Sequence, residues 1–160
     1  MGVRITGDLN RLKGAARRLS TPRLNRVAAQ AGEALVSSTV QRFDAQQAPD
    51  GTPWQPLAAS TVAPRARDFT KSGRIRKPAE RRMLGRKILI QSARLRNSIS
   101  HRRDGTRVAV GTNVRYARIH QLGGMAGRGR KVQIPARPYL GVSEADRAEI
   151  RRILARELSP

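Results

Sequence analysis

The sequence predicts an α+β fold, a small antiparallel sheet flanked by a long N-terminal helix and a C-terminal helix. Three observations carry that prediction. Apolar residues recur at helical spacing from Pro22 to Ala45, two strand-like segments flank Asp104-Gly105, and Ser143 stands three residues before Asp146 at the head of a last amphipathic run. The sheet is expected to combine a hairpin over about 98–111 with a strand over about 132–140.

Taken in order, Asp8 is placed to cap a short helix over Leu9 to Leu19. Thr21 as N-cap and Pro22 at the first helical position then restart the chain. Leu24, Val27, Ala28, Ala31, Leu35, Val36, Val40 and Phe43 follow on one face. Gly32 inside that helix costs about 1 kcal/mol against Ala, so a close contact is expected there. Pro49-Asp50-Gly51 ends the helix, and Pro53 and Pro56 bracket the single tryptophan, Trp54. Trp54 has two readings, a plug at the end of the core or an anchor into a neighbouring subunit.

From Ser60 to Lys87 the chain is dominated by Arg65, Arg67, Lys71, Arg74, Arg76, Lys77, Arg81, Arg82, Arg86 and Lys87, against only Asp68 and Glu80. Pro64, Gly73 and Pro78 interrupt any helix, so a mobile basic loop over about 60–87 is expected. Order returns at Ile88-Leu89-Ile90, and Ser92 to Asn97 reads as a helical turn or two. A two-residue turn at Asp104-Gly105 would oppose Ile99 to Val110 and His101 to Val108, making His101 a packed or edge residue.

Tyr116 to Leu122 reads as a short helix stopped by Gly123-Gly124, a left-handed exit. A flexible Gly/Arg loop over about 123–131 carries Arg128, Arg130 and Lys131. Val132 to Ile134 resumes a strand, and Pro135 and Pro138 hold the backbone extended around Arg137 and Tyr139. Ser143 and Asp146 form a capping box; Ile150, Ile153, Leu154 and Leu158 line one face of the last helix, and Arg147, Arg151 and Arg156 the other. No repeat or second domain emerges over residues 1–160.

Composition narrows the function. Aromatics are only 3% of the chain, so the core is expected to rest on Leu, Ile, Val and Ala. The formal net charge of +22 demands a neutralising partner, nucleic acid by default or an acidic protein surface. Scarce aromatics argue against a single-strand binder, and no helix-turn-helix, zinc finger or RNA-recognition motif is present. The absence of cysteine excludes disulfides and thiolate chemistry. No apolar run reaches the roughly 18 residues of a membrane span, and no secretory signal opens the chain, which is expected to be soluble and intracellular at synthesis.

Catalytic signals are weak. His101 and His120 stand without carboxylates at metal-ligand spacing, and no serine lies in a nucleophile elbow, so no catalytic, cofactor or metal residue is assigned. The Gly-rich run from Gly123 to Lys131 lacks the strand–loop–helix setting of a phosphate cradle. Arg137, between two prolines, is placed to make a fixed ion pair within the fold or across an interface.

Three blocks in order carry a resemblance: Asp50-Gly51 with Trp54 and Leu57; Ser92 to Ile99; and Gly111 to Gly141, with Thr112, Tyr116, Ala117, His120, Gln121, Gly123, Gly124, Pro135, Arg137, Pro138 and Leu140. Together they resemble the virion morphogenesis (tail completion) family of Mu-like tailed phages. Tyr139 stands where Phe is more usual, and Ala93 where Gly is commoner. The resemblance implies a non-enzymatic neck or tail completion subunit at the head–tail junction, assembled from the host cytoplasm into the virion. Its implied partners are copies of itself in a cyclic ring, commonly six-fold, a neighbouring neck or connector protein, and a tail terminator or tail tube. Non-specific contact with channel DNA is possible on this reading; a membrane is not a partner. Trp54, Tyr116, His120, Gln121, Gly123, Gly124, Arg137 and Tyr139 are then candidate interface residues. Arg65, Arg67, Lys71, Arg74, Arg76, Lys77, Arg81, Arg82, Arg128, Arg130 and Lys131 are candidates for electrostatic docking. A tail terminator ring and a free-standing nucleic-acid-binding protein are the alternatives.

Overall fold

The computed structural model describes residues 21–159, the side chains of Arg82, Leu84 and Leu158 excepted. The helix expected over Leu9 to Leu19, with its Asp8 cap, lies outside the described residues, as does the Leu158 side chain. The architecture is α+β. A long helix α1 (Thr21–Ala45) leads into a turn-rich stretch holding α2 (Ala59–Val62), a 3-10 turn (Ala66–Asp68), α3 (Lys77–Leu84) and α4 (Arg94–Asn97). A hairpin of β1 (Ser100–Asp104) and β2 (Arg107–Gly111) follows, then α5 (Ala117–Leu122), β3 (Gly124–Ala126), β4 (Val132–Ile134) and α6 (Glu144–Leu158).

Two local expectations are corrected. The two residues between the strands of the first hairpin are Gly105 and Thr106, with Gly105 at φ 56°, not Asp104 and Gly105, so the strands end there at Asp104 and Arg107. Pro78 does not break a helix but opens one. It stands in the first turn of α3, where a missing N–H would have had no partner anyway.

The strand at Val132–Ile134 does not join the first hairpin. It pairs antiparallel with β3, Gly124 opposite Ile134 and Ala126 opposite Val132, giving two separate two-stranded sheets. It also stops at Ile134 rather than near 140, because Pro135 and Pro138 have no N–H to give a ladder.

Among the described residues the chain forms two compact units, one of residues 21–37, 101–110 and 142–159, the other of 38–100 and 111–141. In the first, Ala28, Ala31 and Ile153 are buried. A Cβ on Gly32 would lie 2.7 Å from Cδ2 of His101, so the glycine expected to mark a close contact does mark one, under the imidazole. Arg23 donates to the Glu157 carbonyl at 3.2 Å and Arg103 to that of Asn25 at 3.2 Å. Helix α6 starts as expected. The Asp146 amide donates to the Ser143 hydroxyl at 3.1 Å and the Ser143 amide to the Asp146 carboxylate at 2.7 Å.

The second unit buries Ala48, Ala79, Leu95, Ile99, Val114 and Ala117, as expected, and adds an aromatic cluster to them. Its most buried large side chains are Tyr139, Phe43 and Leu95. Phe43 meets Trp54 edge-on at 5.4 Å and Tyr139 at 5.1 Å, so three of the chain's few aromatic rings pack together. Such pairs add about 0.5–1.5 kcal/mol beyond their buried area.

Candidate functional site: a clamp on residues 135–141 and the surface it carries

Pro135 and Pro138 make residues 135–141 extended and poor in ladder hydrogen bonds, so side chains must hold this segment. Gln121, on α5, takes most of that role. Its Oε1 accepts from the amides of Tyr139 and Leu140, each at 3.0 Å, and its Nε2 donates to the Leu140 carbonyl at 3.0 Å. The amide thus copies the pattern a neighbouring strand would present. The Arg137 amide donates to the carbonyl of His120 at 2.7 Å, and the Tyr139 hydroxyl to that of Ala117 at 3.2 Å.

The other side of the segment faces Trp54 and helix α1. The Trp54 indole N–H donates to the Pro138 carbonyl at 2.7 Å. Arg42, one residue before Phe43, donates to the carbonyls of Tyr139 at 3.1 Å and Gly141 at 2.8 Å. A Cβ on Gly141 would lie 2.6 Å from Pro49, so only a glycine lets the chain pass there. Arg137 donates through Nε to the Gln55 carbonyl at 2.9 Å and through a terminal nitrogen to that of Pro56 at 3.0 Å. Within the fold those are carbonyl partners, not a carboxylate: a guanidinium has five donors and can tie down a turn whose prolines leave carbonyls unused.

Gly123 makes the clamp possible. Its φ of 73° ends α5, and a Cβ there would lie 2.9 Å from the backbone nitrogen of Ala136. The glycine therefore sets both the exit angle and the close approach of two backbones.

Electrostatics follow burial. The His120 pKa is lowered from its usual 6.5, chiefly because burial disfavours the charged ring and secondarily because Arg137 is near. Its Nδ1 is buried with no hydrogen-bond partner among the described residues. Burial likewise pushes the Tyr139 phenol up and the Arg137 guanidinium down.

The residues singled out by sequence thus separate into two groups. Trp54, Arg137 and Tyr139 are buried, at 5%, 5% and 1% exposure, and Gln121 is half-buried in the clamp. Tyr116 is exposed, its ring edge-on to His120 at 5.8 Å. Leu122, Met125 and Val132 are exposed apolar side chains as well. Arg65, Arg67, Lys71, Arg74, Arg76, Lys77, Arg81, Arg128, Arg130 and Lys131 are all exposed. Arg42 and Phe43 were not identified as clamp residues from sequence. Their only signal is a place at the end of the α1 stripe, which says nothing of a segment about a hundred residues away.

Among the described residues, no group of His, Asp or Glu is arranged to hold a metal ion, and no helix is long and apolar enough to cross a membrane. The site is built from backbone-shaping residues around a fixed loop. The chain belongs to the phage virion morphogenesis family, whose model matches residues 6–159. It is 36% identical over 117 residues to the Mu-like prophage FluMu G protein 2 of Haemophilus influenzae, covering 72% of this chain and 83% of that one. It is 31% identical over 152 residues to tail completion protein S of Escherichia phage P2, covering 93% of each. No solved structure matches the chain.

Proposed function

We propose that this chain is a structural subunit of a tailed-phage virion, completing the tail at the head–tail junction so that it joins the DNA-filled head. The observation that carries the reading is the family match over residues 6–159, in the company of a relative named for tail completion. The geometry supports a binding role. The clamp fixes a loop, and its exposed neighbours Tyr116, Leu122, Met125 and Val132 offer apolar area to a neighbour. On this reading Trp54, Arg137 and Tyr139 hold the interface from within, and Gly123 and Gly124 set the angle of the β3–β4 hairpin that presents it.

A head-to-tail contact repeated about an axis closes into a ring without leaving free faces, six-fold being the expected form. The exposed arginines and lysines of residues 65–81 and 128–131 then dock on acidic surfaces of an adjoining neck, terminator or tube ring. Channel DNA needs only passing, sequence-independent contact.

The test is complementation of a phage lacking this chain. The null lysate should hold filled heads and separate tails, and the wild-type chain should restore joined particles. A variant with Arg74, Arg76 and Lys77 changed to Glu should restore at least tenfold fewer at low salt, with the deficit shrinking as salt rises and screens the exposed charges. Infectious particles in the absence of the chain would refute the reading. Tight binding of random duplex DNA with a steep salt dependence, with no effect on joining, would favour a free-standing nucleic-acid binder instead.

A further inference from the structure

The second unit carries a pocket beside the clamp, which contributes His120 and Arg137 to its lining. It has a volume of about 380 Å³, with walls of Leu57, Leu89 and Leu95, a rim of Arg86 and Lys87, and His120 at its inner face. Three features set it apart from a packing gap. Its floor is apolar while its rim is cationic, and no Asp or Glu lines it. Leu89, in its wall, sits at φ 61°, and Ala93 a few residues on at φ 52°, a left-handed conformation that costs an L-residue about 1–2 kcal/mol. The wall is nevertheless fixed from behind, the Gln46 amide donating to the Ile88 carbonyl at 3.1 Å and its oxygen accepting from the Ile88 amide. Finally, the buried Nδ1 of His120 has no partner among the described residues, although buried polar atoms are nearly always paired.

We propose that this pocket receives an acidic peptide segment of a partner virion protein. An apolar side chain enters between Leu57, Leu89 and Leu95, while a neighbouring carboxylate meets Lys87 and Arg86 and a polar atom of the segment satisfies His120. The volume suits one or two side chains rather than a folded surface. Charge selects the occupant: a cationic or neutral segment would leave the rim repelled or unpaired, whereas a carboxylate gains charge-assisted hydrogen bonds. The Arg86 guanidinium also donates to the Thr61 carbonyl, which pins the rim in place before a ligand arrives. This deepens the proposed function by giving the chemistry of one partner, and rests on it for the partner's source.

The test uses purified full-length protein and 12-residue peptides tiled across the proteins of the same virion, together with a peptide of residues 1–20 of this chain. Acidic tiles bearing a Leu, Ile or Phe should bind, and their Glu→Gln and Asp→Asn counterparts at least tenfold more weakly. Lys87→Glu, a change at an exposed side chain, should weaken the same tiles at least tenfold, while Lys131→Glu on the other loop should not. Amide NMR shifts should concentrate on Leu89, Gln91 and Ser92. No binding tile, binding indifferent to Lys87→Glu, preferential binding of residues 1–20, or displacement by millimolar inorganic phosphate would each overturn the proposal. The null-phage lysate separates the two failures. If it still holds unjoined heads and tails, only the pocket assignment falls; if acidic tiles bind but the chain is dispensable for joining, only the function does.

Discussion

Replacing Gln121 with Ala should cost about 3 kcal/mol, because it strips partners from three backbone groups at once. The groups are the amides of Tyr139 and Leu140 and the carbonyl of Leu140, each held at 3.0 Å. An orphaned buried polar group costs about 1–3 kcal/mol. Tyr139 is only 1% exposed, so its amide pays near the middle of that range. Leu140 is partly exposed and water takes up some of the loss, so its two groups together add about 1 kcal/mol. Gln121→Glu keeps the acceptors but loses the donor to Leu140, and should cost roughly 1 kcal/mol. Urea unfolding followed by the fluorescence of the single tryptophan suits the assay, since Trp54 is bonded to the same segment at Pro138. For a chain of this size the Ala variant should melt roughly 6–12 °C lower. A cost below about 1 kcal/mol would show that the hydrogen bonds of Gln121 do not hold the clamp, and the reasoning would fail.

Two further outcomes are expected. Ala93 sits at φ 52°, so Ala93→Gly should relieve about 1–2 kcal/mol of steric cost, offset in part by greater freedom of the unfolded chain, for a net gain of about 0.5–1 kcal/mol in unfolding free energy, read as a higher urea midpoint; a loss of stability would contradict the backbone assignment. His120 has its pKa lowered by burial and by Arg137, so between its folded and unfolded values the unfolded chain binds the extra proton. Stability should therefore fall as pH drops through about 6.5 and level off below the folded pKa, and His120→Gln should remove that slope. An NMR titration placing His120 at or above 6.5 would refute the argument.

What could be read from sequence was what local chemistry decides. Ser143 and Asp146 cap a helix by their own side chains, Gly123 ends α5 through its positive φ, and the glycine at 32 marks a close approach because a helix interior otherwise disfavours it. Even Ala93 carried a signal, standing where the family more often has the glycine its φ of 52° favours. What stayed hidden depends on partners distant in the chain. That β4 would pair with β3 rather than the first hairpin could not be told from three residues of strand. The bond from Trp54 to Pro138 and the hold of Arg42 on residues 139–141 join segments that no periodicity links. Arg137 illustrates the limit most clearly. Its rigid setting between prolines was evident, but carbonyl partners leave no mark in the sequence, whereas an acidic partner would have.

The central claim is that this fold is a built-in part of the particle, set where tail meets head. Electron cryomicroscopy of intact virions tests it most directly, by fitting helix α1, the clamp and the β3–β4 hairpin into density at the neck. The account requires copies of this chain arranged about the channel axis at that junction, with residues 65–81 turned toward an adjoining layer. Mature, infectious particles with no such density, and no trace of the chain by mass spectrometry, would contradict it.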